Sequence, residues 1–443
     1  MRVAIIGGGI SGLTTAFYLN FYRKDVDVTV FESNEYLGGK MRTKEKDGFL
    51  MEEGTNGFLS NKPDTLELVK DVDCEDILLR SDDNARIRYI YKDKLHLLPE
   101  SPKAFASTKL LSTLGKLRVL CEFIVPTKTD DKEETLQEFG YRRVGKEMTD
   151  VFLDAMSAGV YGSTPKKLSV NASFGKVVAL EKHFGGLFKG MLAQRKKEAG
   201  PGGILMSFQG GCSTFVERVA KASKADIKTN FKIEKIEKID DKFILNGDKK
   251  LIFDKVILST PAYVTAKLLE DIIPSIYDRL NEIEYSPISV VGLGYDDLED
   301  DLKGFGLLTT TSSKQPVLGV LWDSSIFFDR AKHGKKLLRV MIGGQRNKEL
   351  AMKSEEVLVE FAKLGIKNTM GVDANPSTVY VKRWEKGIPN YGVGHMDNVN
   401  EIFKRVKTVD NVYLSSNAYY GVALNDCVSN AKKCAKEVLG IDM

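Results

Sequence analysis

The glycine-rich run Gly7-Gly8-Gly9-Ile10-Ser11-Gly12 constrains the fold more than any other feature of the chain. Ahead of it, Val3-Ala-Ile-Ile6 is a short β-branched run, the pattern of a strand buried on both faces of a parallel sheet. A helix is predicted from Ser11 to about Tyr22, and Val28-Thr-Val-Phe31 reads as a second strand, giving a β-α-β opening. In that setting Gly7 can make the turn, Gly9 can let backbone approach a pyrophosphate, and Gly12 can pack helix on strand. Phosphate oxygens would then meet the free N–H groups and positive dipole end of the helix. Glu32 falls 20 residues after Gly12 at the end of the second strand, where a carboxylate can accept hydrogen bonds from a ribose diol.

Composition sets the outer bounds. The chain has 443 residues, 42% apolar and 28% charged, which suits a large core and about two or three domains and excludes disorder, collagen-like sequence and a disulfide scaffold. Lys and Arg number 65 against 61 Asp and Glu, too close to balance to require nucleic acid. Cys74, Cys121, Cys212, Cys427 and Cys434 are scattered, with no C-x-x-C and no nearby His, so no metal site is indicated and reduced, mostly buried thiols are expected. The N-terminal apolar run meets glycine at once, unlike a signal peptide. No segment reaches the roughly 20 apolar residues of a transmembrane helix. A cytoplasmic protein is expected, with any membrane contact made from the side, on the inner face of the cell membrane.

From Leu95 to about Leu205 the pattern turns helical, with Leu110, Leu111, Leu114, Leu117 and Leu120 and an exposed connection at Thr127 to Glu134. Between Ile227 and Thr260, Ile233, Ile236 and Ile239 alternate with charges around an Asn246-Gly247 turn, suggesting a hairpin; Val256-Ile-Leu-Ser-Thr-Pro261 suggests a buried strand. Short strand candidates fill 286 to 345, and 411 to 439 reads strand, glycine turn, helix. The predicted class is α/β: a discontinuous Rossmann-like domain (1–90, 206–262, 406–443) with a helical subdomain (91–205) and a mixed-sheet substrate domain (263–405) inserted.

Gly38-Gly39-Lys40-Met41-Arg42-Thr43 resembles the GG-x-x-R-T sequence that follows the ribose acid in amine-oxidase-type flavoproteins, and Glu53-Gly54-Thr55 stands where that superfamily has a glycine loop beside the flavin. The resemblance implies FAD. It assigns Gly7, Gly9, Ile10, Ser11 and Gly12 to the cofactor's phosphates, Glu32 and Ser33 to its ribose, and Arg42, with Gly39 and Lys40, to the diphosphate. Gly54, Thr55 and Asn56 would face the flavin, Ile233 and Thr260 would join from the central piece, and Asn417, Gly421, Val422 and Ala423 would form the last flavin-binding turn.

Further segments are similar to the FAD-dependent protoporphyrinogen and coproporphyrinogen oxidases of haem synthesis. They are Gly159-Val-Tyr-Gly-Ser-Thr-Pro-Lys-Lys-Leu-Ser169, Phe208-Gln-Gly-Gly211, Gly304-Phe-Gly-Leu-Leu308, Leu318-Gly-Val-Leu321, Asp323-Ser-Ser-Ile-Phe327, Met341-Ile-Gly-Gly344 and Asn417-Ala-Tyr-Tyr-Gly-Val-Ala-Leu424, in the family's order. Ser415 and Ser416 depart from the glycines usual before Asn417, the 159–165 wording differs, and Met341 stands where better-known members carry an aromatic residue.

This resemblance implies that Gly159, Leu307, Leu308, Leu318 and Met341 line an apolar slot and that Arg88 pairs with a propionate. The implied reaction is oxidation of protoporphyrinogen IX to protoporphyrin IX with oxygen as acceptor, coproporphyrinogen III being the alternative substrate. No catalytic side chain is assigned, because the flavin supplies the hard chemistry, and none of His96, His183, His333 and His395 pairs visibly with a nucleophile. His395 reads as a structural loop residue. A homodimer is compatible with the family. The basic, leucine-rich stretch Lys103 to Phe123 resembles the membrane-docking region of eukaryotic members, but its expected role is a packed amphipathic helix. The rival readings are an amine oxidase or carotenoid desaturase, sharing the FAD sequences, and a non-catalytic nucleotide-binding module.

Overall fold

The computed structural model describes residues 1–195 and 203–442, so the 196–202 part of the predicted helical segment lies outside the described residues. Five parallel strands form the first sheet, in the order Asp226–Lys228, Asp27–Phe31, Arg2–Ile6, Lys255–Leu258, Val412–Leu414. Successive side chains of a strand point to opposite faces. Val3 and Ile5 therefore enter one core with Leu13, Phe215 and Val428 from three helices, Ile10–Tyr22, Cys212–Ser223 and Leu424–Leu439. Ala4 and Ile6 enter another with Ile236, Phe243 and Ala266. Covered on both faces, the central strand is apolar from Val3 to Ile6, as its sequence required.

On that second face the predicted hairpin is a three-stranded antiparallel unit. Its first turn falls at Asp240-Asp241, between Ile236–Ile239 and Lys242–Leu245. The Asn246-Gly247 turn joins the second strand to Ile252–Phe253, with both residues at positive φ, 53° and 68°.

The second sheet has seven strands, in the order Thr378–Pro389, Tyr285–Tyr295, Lys336–Gly343, Gly319–Leu321, Gly306–Thr309, Arg88–Tyr91, Leu95–Leu97. All neighbours are antiparallel except Gly306–Thr309 with Arg88–Tyr91. The Arg88–Leu97 hairpin thus belongs to this sheet, across the division drawn at 90/91, and helix begins only at Pro102. A three-residue strand is too short for its period to be separated from a helical turn. One face of the sheet is closed by the helix Glu355–Met370. The other looks toward the parallel sheet and a helical layer that includes Leu136–Arg143, Asp154–Tyr161 and Val170–Phe184.

The Lys103–Phe123 stretch is not one packed helix. It breaks into Pro102–Ser107 and Thr113–Leu120, followed by a tight turn at Cys121–Ile124. Leu110, Leu111 and Val119 are buried, but Leu114 is 78% and Ile124 81% exposed, and Leu117 and Leu120 are exposed with them. The spacing of 114, 117 and 120 puts those leucines on one helical face. Of the five cysteines, Cys121 is exposed and the other four are buried and free.

Candidate functional site: a dinucleotide cavity beside an apolar cluster

A cavity of about 610 Å³ opens where the parallel strands end, with walls drawn from both chain ends, the central segment and the strand Thr378–Pro389. Clefts outside the carboxyl ends of parallel strands are where such sheets take ligands. Gly7 turns there at φ 109°, its N–H donating to the Phe31 carbonyl at 2.8 Å. A methyl on Gly12 would overlap the Gly7 carbonyl oxygen, so helix and turn approach as closely as backbone allows. Around Gly9, by contrast, a methyl would meet no protein atom within 4 Å and would project into open space. That is the room a bound pyrophosphate needs.

Glu32 is buried at one end of the cavity, near Ser33, Phe231 and Ile233. Its carboxylate accepts from the Gly8 N–H at 2.8 Å and the Asn34 N–H at 2.9 Å, so the ribose acid also ties down the glycine turn. The Gly38 N–H donates to the Gly8 carbonyl at 2.8 Å, laying the second glycine pair against the first. Thr55, Trp384, Lys386, Val422 and Cys427 also line the cavity. The Trp384 indole N–H donates to the Glu53 carbonyl at 2.7 Å.

Of the residues expected at the cofactor, Gly7, Gly9, Ile10, Ser11, Glu32, Ser33, Gly39, Lys40, Thr55, Ile233, Thr260, Asn417 and Val422 line this one cavity. Gly12, Gly54, Gly421 and Ala423 stand behind the lining. Gly54 leaves no space for a side chain beside the Lys40 carbonyl, and Gly421 turns at φ 85° against Asp426. The Ala423 N–H donates to Asp426 Oδ2 at 3.3 Å as the C-terminal helix starts. Both polar atoms of the Asn56 amide are buried without a protein partner, a donor and an acceptor left for a ligand.

Arg42 differs from its expected place at the diphosphate. It stacks on Tyr36 at 3.8 Å and pairs with the buried Glu53 at 3.8 Å, bracing the wall from behind. Lys40, expected there with it, does line the cavity, its Nζ donating to the Lys386 carbonyl at 2.8 Å and to the Gly387 carbonyl. Burial pulls its ammonium down to about 8. Tyr36, Phe231, Tyr263 and Trp384 were not foreseen as lining. None carries a local motif; the register shift between Ser286 and Ile288 opposite Trp384 belongs to the folded sheet alone.

The apolar residues divide by sheet face. Leu318 packs with Ala158, Ile288 and Val290, and Met341 and Trp384 lie against that cluster, so Trp384 is a wall shared with the dinucleotide cavity. Leu308 faces the same helical layer; a methyl on Gly159 would come within 2.9 Å of its Cδ atoms. Leu307 points the opposite way and is corrected from slot to core. It is buried with Val320, Leu338 and Val340 under the helix Glu355–Met370. Arg88 is exposed on the edge hairpin, its guanidinium 5.1 Å from the Phe305 ring. It pairs in register with Gly306, which pairs with Leu321 and then Arg339, three strand spacings or roughly 14 Å across the sheet. His395 is buried, stacked 4.1 Å from Tyr391, with Nε2 3.1 Å from the Tyr419 carbonyl; burial lowers its pKa.

Residues 10–439 match the family of flavin containing amine oxidoreductases. The chain belongs to that family. As a flavin-containing amine oxidoreductase it is an FAD-dependent enzyme, not a passive nucleotide-binding module. Over 99% of its length it is 28% identical to the coproporphyrinogen III oxidase of Staphylococcus aureus, covering 98% of that protein. It is 30% identical to the chloroplastic protoporphyrinogen oxidase of Oryza sativa subsp. japonica, covering 98% of this chain and 87% of the relative. A crystal structure from Exiguobacterium sp. 255-15, described as that of a candidate protoporphyrinogen oxidase, superposes with a TM-score of 0.86 at 25% identity, covering 99% of this chain and 98% of the other. A putrescine oxidase variant shares the fold at 14% identity and a TM-score of 0.72.

Proposed function

We propose that this flavoenzyme oxidises protoporphyrinogen IX to protoporphyrin IX, with oxygen as electron acceptor. The observation that carries the reading is the shared wall: Trp384 lines the dinucleotide cavity and packs against the Leu318–Met341 cluster, so an apolar substrate can lie beside the cofactor. An apolar wall with few polar groups suits a flat tetrapyrrole precursor better than a small amine. Bound FAD supplies the hydride acceptor. The chain's own residues hold, orient and exclude water. Leu308, Leu318 and Met341 set the plane of the macrocycle, Met341 adapting its thioether to the ring, and Gly159 lets the helical layer close over it. Arg88, at the exposed edge, pairs with a propionate. Three two-electron steps each take a hydride from a bridging carbon; of the three protons lost, two come from pyrrole nitrogens and one from the fourth bridging carbon by tautomerisation, and all leave to water without a side-chain base.

The test is turnover of protoporphyrinogen IX and coproporphyrinogen III by the FAD-loaded protein, read as porphyrin fluorescence. Faster turnover of coproporphyrinogen III would replace the substrate named here. No turnover of either, with bleaching of the flavin by amines or carotenoids, would replace the reading altogether. Arg88→Ala is expected to raise KM about tenfold or more with flavin content unchanged, as for loss of a hydrogen bond between charged groups; unchanged KM would remove it from the substrate site.

The exposed face of Leu114, Leu117, Leu120 and Ile124, with Lys103, Lys109 and Lys116 in the same stretch, supports peripheral membrane contact. No helix among the described residues is long and apolar enough to cross a membrane. The protein is expected to float with anionic lipid vesicles, and Leu114→Glu with Ile124→Glu to abolish flotation while leaving turnover in detergent intact.

A further inference from the structure

The helix Asp154–Tyr161 carries Gly159 and adds Ala158 to the cluster that Trp384 joins, so it brings the helical layer to the wall of the dinucleotide cavity. It has eight residues, fewer than the roughly 12 to 15 that hold a helix in water unaided, so its place is set by what it packs against. The residues it turns to the sheet are small. Ala155 lies with Ile90 and Leu308, Ala158 with Ile288 and Leu318, and Gly159 approaches Leu308. Apolar contacts of that kind have no preferred direction and leave a helix free to slide or tilt. The directional ties are at its two ends. At the first, a π-helical turn, Thr149–Leu153, runs straight into the helix, a rare form that recurs at functional sites. Asp154 follows it, buried, and accepts from the Thr311 N–H at 2.7 Å, the Thr311 hydroxyl at 2.9 Å and Arg346 Nη2 at 2.9 Å. Arg346, itself largely buried, gives Nη1 to the Thr309 carbonyl at 2.8 Å. At the second end the Gln345 N–H donates to the Gly162 carbonyl at 2.7 Å. The single turn Gly344–Arg346 thus holds both ends of the helix.

That turn follows the strand carrying Met341, and Thr309 ends the strand carrying Leu308. Close to these ties the apolar surface is open: Gly159 and Val160 are exposed, and Leu308 and Met341 are half-buried. A buried charge pair is a costly fastening, since an apolar pair of the same volume is often as stable or more so. What the pair adds is geometry, because a charge-assisted fork fixes distance and angle. We infer that Asp154 and Arg346 are positioning residues, setting the height and tilt of the helix over the sheet and so the gap in which the substrate ring lies against the flavin. The pair makes no bond to substrate; it acts through Gly159, Leu308 and Met341. Hydride transfer is sensitive to such a gap, a displacement of about 1 Å costing about a hundredfold in rate. The inference rests on the porphyrinogen reading and adds to it the device that holds the ring in place.

Asp154→Leu with Arg346→Met separates geometry from stability, because it removes both charges and strands neither. The double variant is expected to melt like the native protein, with native flavin content and absorbance spectrum. In single turnovers without oxygen, with whichever of protoporphyrinogen IX and coproporphyrinogen III the native protein oxidises faster, its bound flavin is expected to be reduced about ten- to a hundredfold more slowly than native. A native rate of reduction in the double variant would overturn the inference and leave the pair a tie of folding alone. If the double variant does not fold, Arg346→Lys keeps the charge but not the fork that spans Asp154 and Thr309. The same slowing at native flavin content is expected of it, and a native rate there overturns the inference equally. Native protein whose flavin neither porphyrinogen reduces would overturn the substrate reading, and the inference with it.

Discussion

Gly9→Ala is expected to fold and melt like the flavin-free native chain yet purify without the yellow of bound flavin, whereas Gly12→Ala is expected to lose both flavin and stability. The two positions belong to one motif, but their surroundings are opposite. Gly9 has φ −70°, a conformation alanine adopts freely, and a methyl there touches no protein atom. Its only neighbour would be the ligand, so the change acts on binding alone. At Gly12 the methyl meets the Gly7 carbonyl oxygen, a backbone atom unable to swing aside, and lies 3.2 Å from Ser259 Cβ. The helix Ile10–Tyr22 must then lift from the sheet, disturbing Leu13 and Ala16 in the core. Overpacking of this kind costs about 1 to 3 kcal/mol, more where backbone must move. Thermal unfolding and the flavin-to-protein absorbance ratio, measured on both variants, check this. A Gly9→Ala protein that retains FAD at native affinity would show that the cofactor does not approach that turn.

The motif was readable because its parts are local: a glycine pattern, an apolar strand before it, a carboxylate one strand later. Glu32 and the glycines need only a few dozen contiguous residues to meet. The far wall was not readable. Trp384 reaches the cavity only because its strand lies beside Tyr285–Tyr295 with a register shift, a contact about a hundred residues apart in sequence. Leu307 and Leu308 show a different limit. Strand alternation says that two adjacent leucines face opposite sides of the sheet, but which one meets the helical layer and which the core depends on the helix Glu355–Met370, far along the chain. The division between Lys40 and Arg42, both expected at the diphosphate, is finer still. Gly38 and Gly39, both at positive φ, turn the loop so that Lys40 enters the cavity while Arg42 folds back on Tyr36.

Arg339→Met is expected to give the largest loss of stability together with loss of flavin, through the loop that follows Glu52. Arg339 stands on the Lys336–Gly343 strand, almost fully buried, with Asp323 2.8 Å from its Nε. It donates through Nη1 to the Glu52 carbonyl at 3.3 Å and the Gly54 carbonyl at 3.0 Å. Glu52 in turn accepts from the Cys212 N–H at 2.9 Å and the Thr43 hydroxyl at 2.8 Å, and lies 3.2 Å from Arg330. The seven-stranded sheet therefore grips the backbone on either side of Glu53, and the loop it grips ends in Thr55, a wall of the cavity. Methionine fills similar volume but leaves Asp323 charged and buried and two carbonyls without their donor. Removing one partner of a buried pair costs about 3 to 5 kcal/mol, well above the net worth of the pair, because the stranded charge has no water. Arg339→Met with Asp323→Leu removes that stranded charge, so the double variant is expected to recover part of the stability but not the grip on Glu52 and Gly54. Its melting temperature should rise above that of the single variant while flavin occupancy stays low. If occupancy recovered along with stability, the grip would be irrelevant to the cofactor, and the buried pair would matter only to folding.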